Sequence, residues 1–503
     1  MQDGDNQMSN IRLTYSGLVS FLILLVSMFT GLAFTLIVTR RLDQTHFAMW
    51  SLIGGIVVYS MIFSPISNYW LSRHIARGEG ESITGIASAI IFSIGAIGVY
   101  LVAALFLSNS EDVDFQILFF AVMLVPLTYI VSTFTTITSS YKPQGTSYGM
   151  LIFEITKIPI GFLLVYVTDL GVIGAITTAI TSTIIQLVFY VIYTREKLRQ
   201  SFHYGVFKNW LKLSWLPVFA GLHDRIINLD STIFTLITGS VVGIAYIGIA
   251  KSMANLVSHT NSISVGLASK LIATQNIQHT ELMVDRTLLF AIPMLGFVIT
   301  FAKPGLWILN PIYVDGIFVV YLWSLTHFIW VIQGIFKGTL ESLEKMDIGF
   351  KAKTKDYLKS RLFTVRLVYA IGYSFYIGSL ILIFIISADF GFNTLEIVFW
   401  WGMVSVIVNI AILITFMIMT VRHISFKFQI NKMLKYTTLT VISCLITHFL
   451  LSQYLEYEKS IFDFGPNLIP YMFLFIGLYF GLIMVWDKES RNLFQQILQE
   501  LKK

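Results

Sequence analysis

The chain reads as an all-α protein that crosses a membrane about fourteen times. Three observations predict this. Apolar residues make up 56% of its 503 residues and charged ones only 12%, about half the usual charged share of a soluble domain. Long apolar runs recur along the whole chain, each bounded by charged or turn residues. Lys and Arg gather on alternate connections between those runs instead of spreading evenly. A soluble chain of this length would form several domains with polar surfaces, and here the polar residues are too few to cover them. A soluble enzyme, a disordered chain and a nucleic-acid binder are therefore excluded. The net charge of +6, from 34 basic and 28 acidic residues, poses a question of sidedness and does not point to a polyanionic partner.

Residues 1–15 are polar, with Asp3, Asp5 and Arg12, and form a short N-terminus. Apolar runs follow at 16–38, 47–71, 83–107, 115–138, 148–168 and 170–193. After a polar stretch they resume at 213–237, 241–267, 287–309, 315–336, 367–388, 395–420, 436–453 and 467–486. Roughly 20 residues at ~1.5 Å rise each cross a bilayer core, so each run is a candidate span. The first is too long for a signal-peptide core and no small-residue cleavage site follows it, so it is expected to be retained. The fifth and sixth runs meet at Thr168-Asp169-Leu170-Gly171, a hairpin-sized turn. The seventh is the most polar, with His223, Asp224, Arg225 and Asp230. One cysteine, Cys444, excludes a disulfide framework and a Cys-based metal site. No phosphate-binding G-x-x-x-x-G-K-[ST] loop is present.

With the N-terminus inside, 27 basic residues fall on inner segments and four (Arg40, Arg41, Lys303 and Lys459) on outer ones. This bias predicts cytoplasmic N- and C-termini and supports the seventh span, whose loss would invert every later loop. Arg40 and Arg41 outweigh Arg12 locally, and the bias of the whole chain overrules them. The outer connections are short. The basic inner loop at 337–366 suits solvent or anionic headgroups. Leu493, Phe494, Ile497, Leu498 and Leu501 share one face of an amphipathic tail.

A short repeat joins the two halves. Phe34-Thr35-Leu36-Ile37 recurs as Phe234-Thr235-Leu236-Ile237, each at the outer end of its span. Six spans separate the copies, so both halves have the same orientation, as in parallel-repeat transporters. The expected organisation is an N-terminal lobe at 16–194 and a linker at 195–212. A C-terminal lobe at 213–420, two further spans within 421–486 and a cytoplasmic tail at 487–503 follow.

This 6+6+2 pattern, with short outer loops and a basic linker after the sixth span, resembles the multidrug/oligosaccharidyl-lipid/polysaccharide exporter superfamily. Three stretches resemble its polysaccharide-exporter, or Wzx-like oligosaccharide flippase, branch. They are Thr39-Arg40-Arg41-Leu42 running into Phe47-Ala48-Met49-Trp50; Lys142-Pro143-Gln144-Gly145; and Leu213-Ser214-Trp215-Leu216-Pro217 leading to Asp230. The resemblance covers about 14–420 well and the last two spans loosely. It implies a non-enzymatic, multi-pass protein of a prokaryotic cytoplasmic membrane that flips lipid-linked saccharides by alternating access for surface polysaccharide synthesis. Its implied partners are the lipid-linked saccharide, membrane lipids and glycan-assembly membrane enzymes, not nucleic acid. No cofactor is implied beyond a coupling ion, H+ or Na+. Fold analogy sets a prior only, so the site has to be argued from residues.

Six charged side chains fall inside proposed spans: Glu154, Lys157, Asp224, Arg225, Asp230 and Lys251. Facing lipid, six charges would cost on the order of 15–20 kcal/mol, more than a typical folding free energy. They are expected to face a watery cavity or one another. Glu154 and Lys157, three residues apart, can pair on one helical face. Asp230 and Lys251 are expected at matching depth on neighbouring antiparallel helices, as a bridge. Arg225 is a candidate head-group ligand, because its planar donor fork suits phosphate. The alternative is a structural pair with Asp224 or another carboxylate. Pro217 and Gly221 predict a bend or unwinding in the seventh span. His223, His259, His327 and His448 lack metal-ligand spacing. Gln186, Asn255 and Gln333 suit sugar hydroxyls or interhelical hydrogen bonds. Flippases of pyrophosphate-linked substrates are expected to have strongly cationic cavities, whereas these six charges sum to zero. That balance favours a carboxylate that titrates and couples transport to protons. The second reading is a cation-coupled multidrug exporter. The third is a glycan polymerase or ligase, which would need catalytic carboxylates on sizeable outer loops.

Overall fold

A computed structural model gives the fold. It describes residues 30–76, 80–110, 112–142, 144–212, 214–261, 278–343, 358–423 and 430–492. The amphipathic tail from Leu493, residues 344–357 of the inner loop and residues 16–29 of the first predicted span lie outside these residues. The chain is all-α, with no strand among the described residues. Among the described residues, eleven helices are long and apolar enough to cross a membrane. Of the three other predicted runs, the first is described only from Thr30, the seventh is broken into short pieces, and the eighth is described only to Asn261.

The helices, in chain order, begin with α1 at residues 30–41. Then come α2 Gln44–Ser60, α3 Ser64–Ala76, α4 Ser82–Leu107, α5 Phe115–Ala121, α6 Leu124–Tyr141, α7 Gln144–Gly161 and α8 Gly171–Tyr193. The middle of the chain holds α9 Tyr204–Lys212, α10 Trp215–Ile226, α11 Asp230–Thr238 and α12 Val242–Ser258. The rest is α13 Gln278–Thr300, α14 Ala302–Leu309, α15 Ile317–Ser342, α16 Arg361–Phe390, α17 Thr394–His423, α18 Ile430–Tyr454 and α19 Ile461–Trp486. By packing, the chain forms two compact units, one of residues 1–248 with 366–404 and the other of 249–365 with 405–503.

In the first unit α7 packs on α8, and α6 packs on α3, α4 and α8. Lipid is as apolar as leucine, so such seams depend on close van der Waals fit and small residues. The seam of α7 with α8 shows this directly. Tyr193 and Tyr190 lie over Gly145 and Gly149, one helical turn apart. A Cβ at Gly145 would fall 2.2 Å from Tyr193, and one at Gly149 2.3 Å from Tyr190. The Tyr190 hydroxyl also donates to the Thr146 carbonyl at 3.3 Å. The turn predicted at 168–171 is present, with Asp169 (φ 51°) and Gly171 (φ 56°) in the left-handed region.

The second unit buries Leu288, Leu289, Ile335, Leu439 and Ile483 in a shared cluster drawn from α13, α15, α18 and α19. Polar ties close one end of it. Lys432 pairs with Asp285 at 3.3 Å and also with Glu489. The Tyr436 hydroxyl donates to Asp285 at 2.8 Å. Just past α19, Asp487 receives Lys435 at 3.2 Å, the Ser490 N–H at 3.0 Å and the Ser490 hydroxyl. Burial alone would raise the Asp487 pKa, but the Ser490 hydrogen bonds and Lys435 hold it below the ordinary carboxylate value.

Two outcomes are expected. Gly149→Val forces Tyr190 out of its seat, and overpacking of this kind costs about 1–3 kcal/mol. The variant should melt below wild type in detergent, and an unchanged melting temperature would contradict the seam. Asp487 has a lowered folded pKa, so its stabilisation is present above its unfolded value and is lost as pH falls through the folded one. Wild type should therefore melt above Asp487→Asn at neutral pH, with the gap closing in acid; a gap that does not change with pH would contradict it.

Candidate functional site

Glu154, Lys157, Asp224, Arg225 and Asp230 all lie in the first unit. Lys157 and Glu154 pair along α7 at 2.7 Å, and both side chains are nearly buried. Thr30 of α1 donates to the same carboxylate at 3.5 Å. The Lys157 ammonium also lies 5.1 Å from the Phe34 ring and 4.9 Å from Phe153. This pair is closed on itself and lined with aromatic rings.

The seventh predicted span is broken, but not where its proline and glycine suggested. Pro217 sits in the first turn of α10, where proline costs little. Gly221 gives Pro65 of α3 room to approach, with only 3.1 Å to spare for a Cβ. The break is a 3-10 turn at Ile227–Leu229. It places Arg225 at the end of one helix and Asp230 at the start of the next.

Asp224 is exposed and pairs with His223 at 3.1 Å. The expected structural pair of Asp224 with Arg225 does not form, since no carboxylate lies within ion-pair distance of Arg225 among the described residues. Adjacent side chains on a helix diverge by about 100°, and His223 is near enough to take the carboxylate instead. Arg225 is half-buried, and its Nε is buried with no hydrogen-bond partner among the described residues. Polar groups of α3 and α6 form a network in the same unit. Asn68 donates to Ser64 at 3.0 Å and to Ser132 at 2.9 Å, and accepts from Thr133 at 3.1 Å.

Asp230 is 1% exposed. One oxygen accepts the Ser231 N–H at 2.7 Å and the Ser231 hydroxyl at 3.1 Å. The other accepts the Tyr376 hydroxyl at 3.1 Å, and the Trp401 indole N–H donates to that hydroxyl at 2.8 Å. A donor relay thus runs from α17 through α16 to the first residue of α11. Tyr376 ends an aromatic column on α16. Tyr369 and Tyr373 stack at 5.9 Å, and His223 stacks on Tyr369 at 4.5 Å. The column therefore joins the Asp224 pair to the Asp230 relay. The sequence carried a sign of it in the spacing of Tyr369, Tyr373 and Tyr376, which share one helical stripe.

Lys251 belongs to the second unit, so its expected bridge to Asp230 remains a proposal. Its ammonium lies 4.6 Å from the centre of the Trp323 ring. Four residues on from that ring, His327 is 3% exposed. Its Nδ1 meets the Ser258 hydroxyl at 2.7 Å, while its Nε2 is buried and unpartnered among the described residues. Gln333 donates to the Asn409 carbonyl at 2.7 Å, an interhelical bond of the kind expected for it. Among the described residues no three His, Cys, Asp or Glu groups converge on a metal-sized site.

At one end of the first unit a cavity of about 700 Å³ is lined by Asn109, Ser110, Asp112, Thr238, Gly239 and Ser240, with Phe106 and Leu236. Acidic residues beside the start of a helix commonly cap it. Asp114 is one, accepting the Gln116 N–H at 2.7 Å. Asp112 instead reaches the turn after α11, accepting the Ser240 hydroxyl at 2.8 Å and the Val241 N–H at 3.2 Å.

No protein-family model matches the chain, and no curated protein does. Solved structures do. The lipid II flippase MurJ, in an inward closed conformation, superposes with a TM-score of 0.65 at 14% identity, over 96% of this chain and all of MurJ. An inward-facing multidrug resistance MATE family transporter of the MOP superfamily gives 0.57 at 12% identity, over 80% of this chain and 97% of its own. The eukaryotic MATE transporter AtDTX14 gives 0.56 at 13%, over 81% and 96%. The fold is that of the MOP-type transporters, in a multi-pass membrane protein.

The Asp230 relay has a direct test. Tyr376→Phe removes one donor from a buried carboxylate, and the loss of such a charged hydrogen bond costs about 1.5–3 kcal/mol. The variant should melt lower than wild type, and the same substitution should cost less when made on top of Asp230→Asn. Additive effects in that double-mutant cycle would contradict the contact.

Proposed function

We propose that this protein flips a lipid-linked saccharide from the inner to the outer face of the cytoplasmic membrane by alternating access. The observation that carries the proposal is Arg225, a half-buried guanidinium with no carboxylate at ion-pair distance among the described residues. A cation left open within a span costs stability and marks a site for an anion. A phosphate suits its donor fork. The polyprenyl chain stays in lipid while the head crosses. Similarity to MurJ extends over 96% of the chain, against 80% for the MATE transporter, and this supports a flippase over a drug exporter. Asp230, Asp224, Lys251, Lys157 and Glu154 complete the proposed cavity, and an Asp230–Lys251 bridge is part of it. The parallel-repeat lobes are the moving bodies, and an ion gradient, of H+ or Na+, or removal of the product drives them.

A second reading, a cation-coupled multidrug exporter, draws on Asp230. A buried carboxylate joined to a hydroxyl relay is suited to cycling a proton or cation.

The two readings separate on depletion of the protein. A flippase leaves lipid-linked saccharide on the inner face; a drug exporter leaves none; a polymerase leaves it on the outer face. Arg225→Ala should reproduce the inner-face build-up at normal protein level, and Arg225→Lys should restore transport only in part. Surface glycan made at the wild-type rate by Arg225→Ala cells would sink the assignment.

A further inference from the structure

We propose that the connector running from Arg195 through α9 is a docking surface for anionic lipid headgroups, on the side that the basic residues mark as inner. The inference does not depend on what the protein carries.

The connector is fixed against the first unit. At its start the His203 N–H donates to Thr84 at 3.0 Å, and His203 Nδ1 meets the buried Glu81 carboxylate at 2.9 Å. Gln200 accepts the Ser82 N–H at 3.1 Å. Further on, Trp210 is 2% exposed among Leu71, Ile75 and Ile137, and its indole N–H donates to His74 at 3.3 Å. Phe207 meets Phe92 at 6.1 Å. Phe92 is the eleventh residue of α4, roughly 15 Å along it at 1.5 Å per residue. One face of α9 is thus packed against the apolar helices α3 and α4.

The opposite face has two properties that seldom occur together on a surface in water. Tyr204 and Leu211 are exposed large hydrophobics, as is Phe202 just before the helix. Lys208 and Lys212 are exposed among them, with Arg195 and Arg199 in the preceding turn. The connector's one acid, Glu196, is held by the Tyr141 hydroxyl and lies 3.9 Å from Lys142. Those contacts lower its pKa despite its exposure, so it stays ionised and committed. Arg195, Arg199, Lys208 and Lys212 enter no ion pair among the described residues. Exposed aromatic and aliphatic groups interleaved with unpaired cations, on a short helix whose connector is tied to the start of α4, fit acyl chains below and phosphate above. Water would satisfy the cations but not the exposed apolar groups.

The test uses the full chain in phosphatidylcholine vesicles, with spin-labelled phosphatidylglycerol and spin-labelled phosphatidylcholine as competing probes. Wild type should prefer the anionic probe, and salt should weaken that preference. The variant R195Q/R199Q/K208Q/K212Q should lose at least tenfold of it, because four basic residues near the surface are removed together. K488Q/R491Q, which removes charge elsewhere on the inner side, should keep it. Melting temperatures report whether each variant is folded. A quadruple variant that is folded and retains the wild-type preference overturns the proposal. An equal loss in K488Q/R491Q does so too, because it would reduce the effect to net charge.

Discussion

A bilayer supplies no water, so every polar group inside it has to be matched by another part of the chain or by whatever the protein binds. The rest of this structure follows from that constraint. Glu154 and Lys157 satisfy it within one helix, at 2.7 Å. Asp230 satisfies it with donors that include the Ser231 N–H and hydroxyl and the Tyr376 hydroxyl. Gln333 and Asn409 satisfy it across a helix seam. Arg225 Nε and His327 Nε2 are among the buried polar atoms that find no partner among the described residues, and of these two Arg225 is the charged one, which the proposed function assigns to a ligand.

The 3-10 turn at Ile227–Leu229 makes that separation possible. On one continuous helix Arg225 and Asp230 would differ by five residues, or about 140°, and each would be held to the axis of the other. The break lets α11 start at Asp230, whose carboxylate accepts the Ser231 N–H of the first turn at 2.7 Å. It leaves Arg225 at the end of α10, with Asn228 turned back to the Asp224 carbonyl at 2.7 Å. The aromatic column of Tyr369, Tyr373 and Tyr376 bridges the two pieces. The carboxylate and the guanidinium are therefore supported by different neighbours.

Spans and charges were legible in the sequence because both depend on local composition. A run of apolar residues needs no partner to be recognised, and a charge inside one stands out by its cost. The Glu154–Lys157 pair was legible for the same reason, as spacing along a single helix decides it. Partners on distant helices were not. Nothing local ties Tyr376 and Trp401 to Asp230, or Asp112 to Ser240, since each contact depends on tertiary approach. The kink in the seventh span was misplaced because proline was weighed without its position: in the first turn of α10 it has no helical hydrogen bond to break. His223 shows the same limit. Its neighbour Asp224 was visible, but the ring stack on Tyr369 that holds it in place was not.

The zero sum of the six charges now has a structural meaning. It does not describe a neutral cavity, because the charges are not equivalent. Glu154 and Lys157 cancel in place and contribute little field to anything beyond them. Asp224 is exposed and tied to a histidine, and Asp230 is buried beneath hydroxyl and backbone donors. An anion meeting Arg225 therefore encounters a cation whose nearest carboxylate is turned aside toward His223. A fully cancelled cluster would give an anion no reason to enter. A uniformly cationic one would bind it without providing a group to oppose it on release. Pairing some charges at fixed positions and leaving one donor fork open is the arrangement that the proposed carriage of an anion requires, because such a site has to bind and to release.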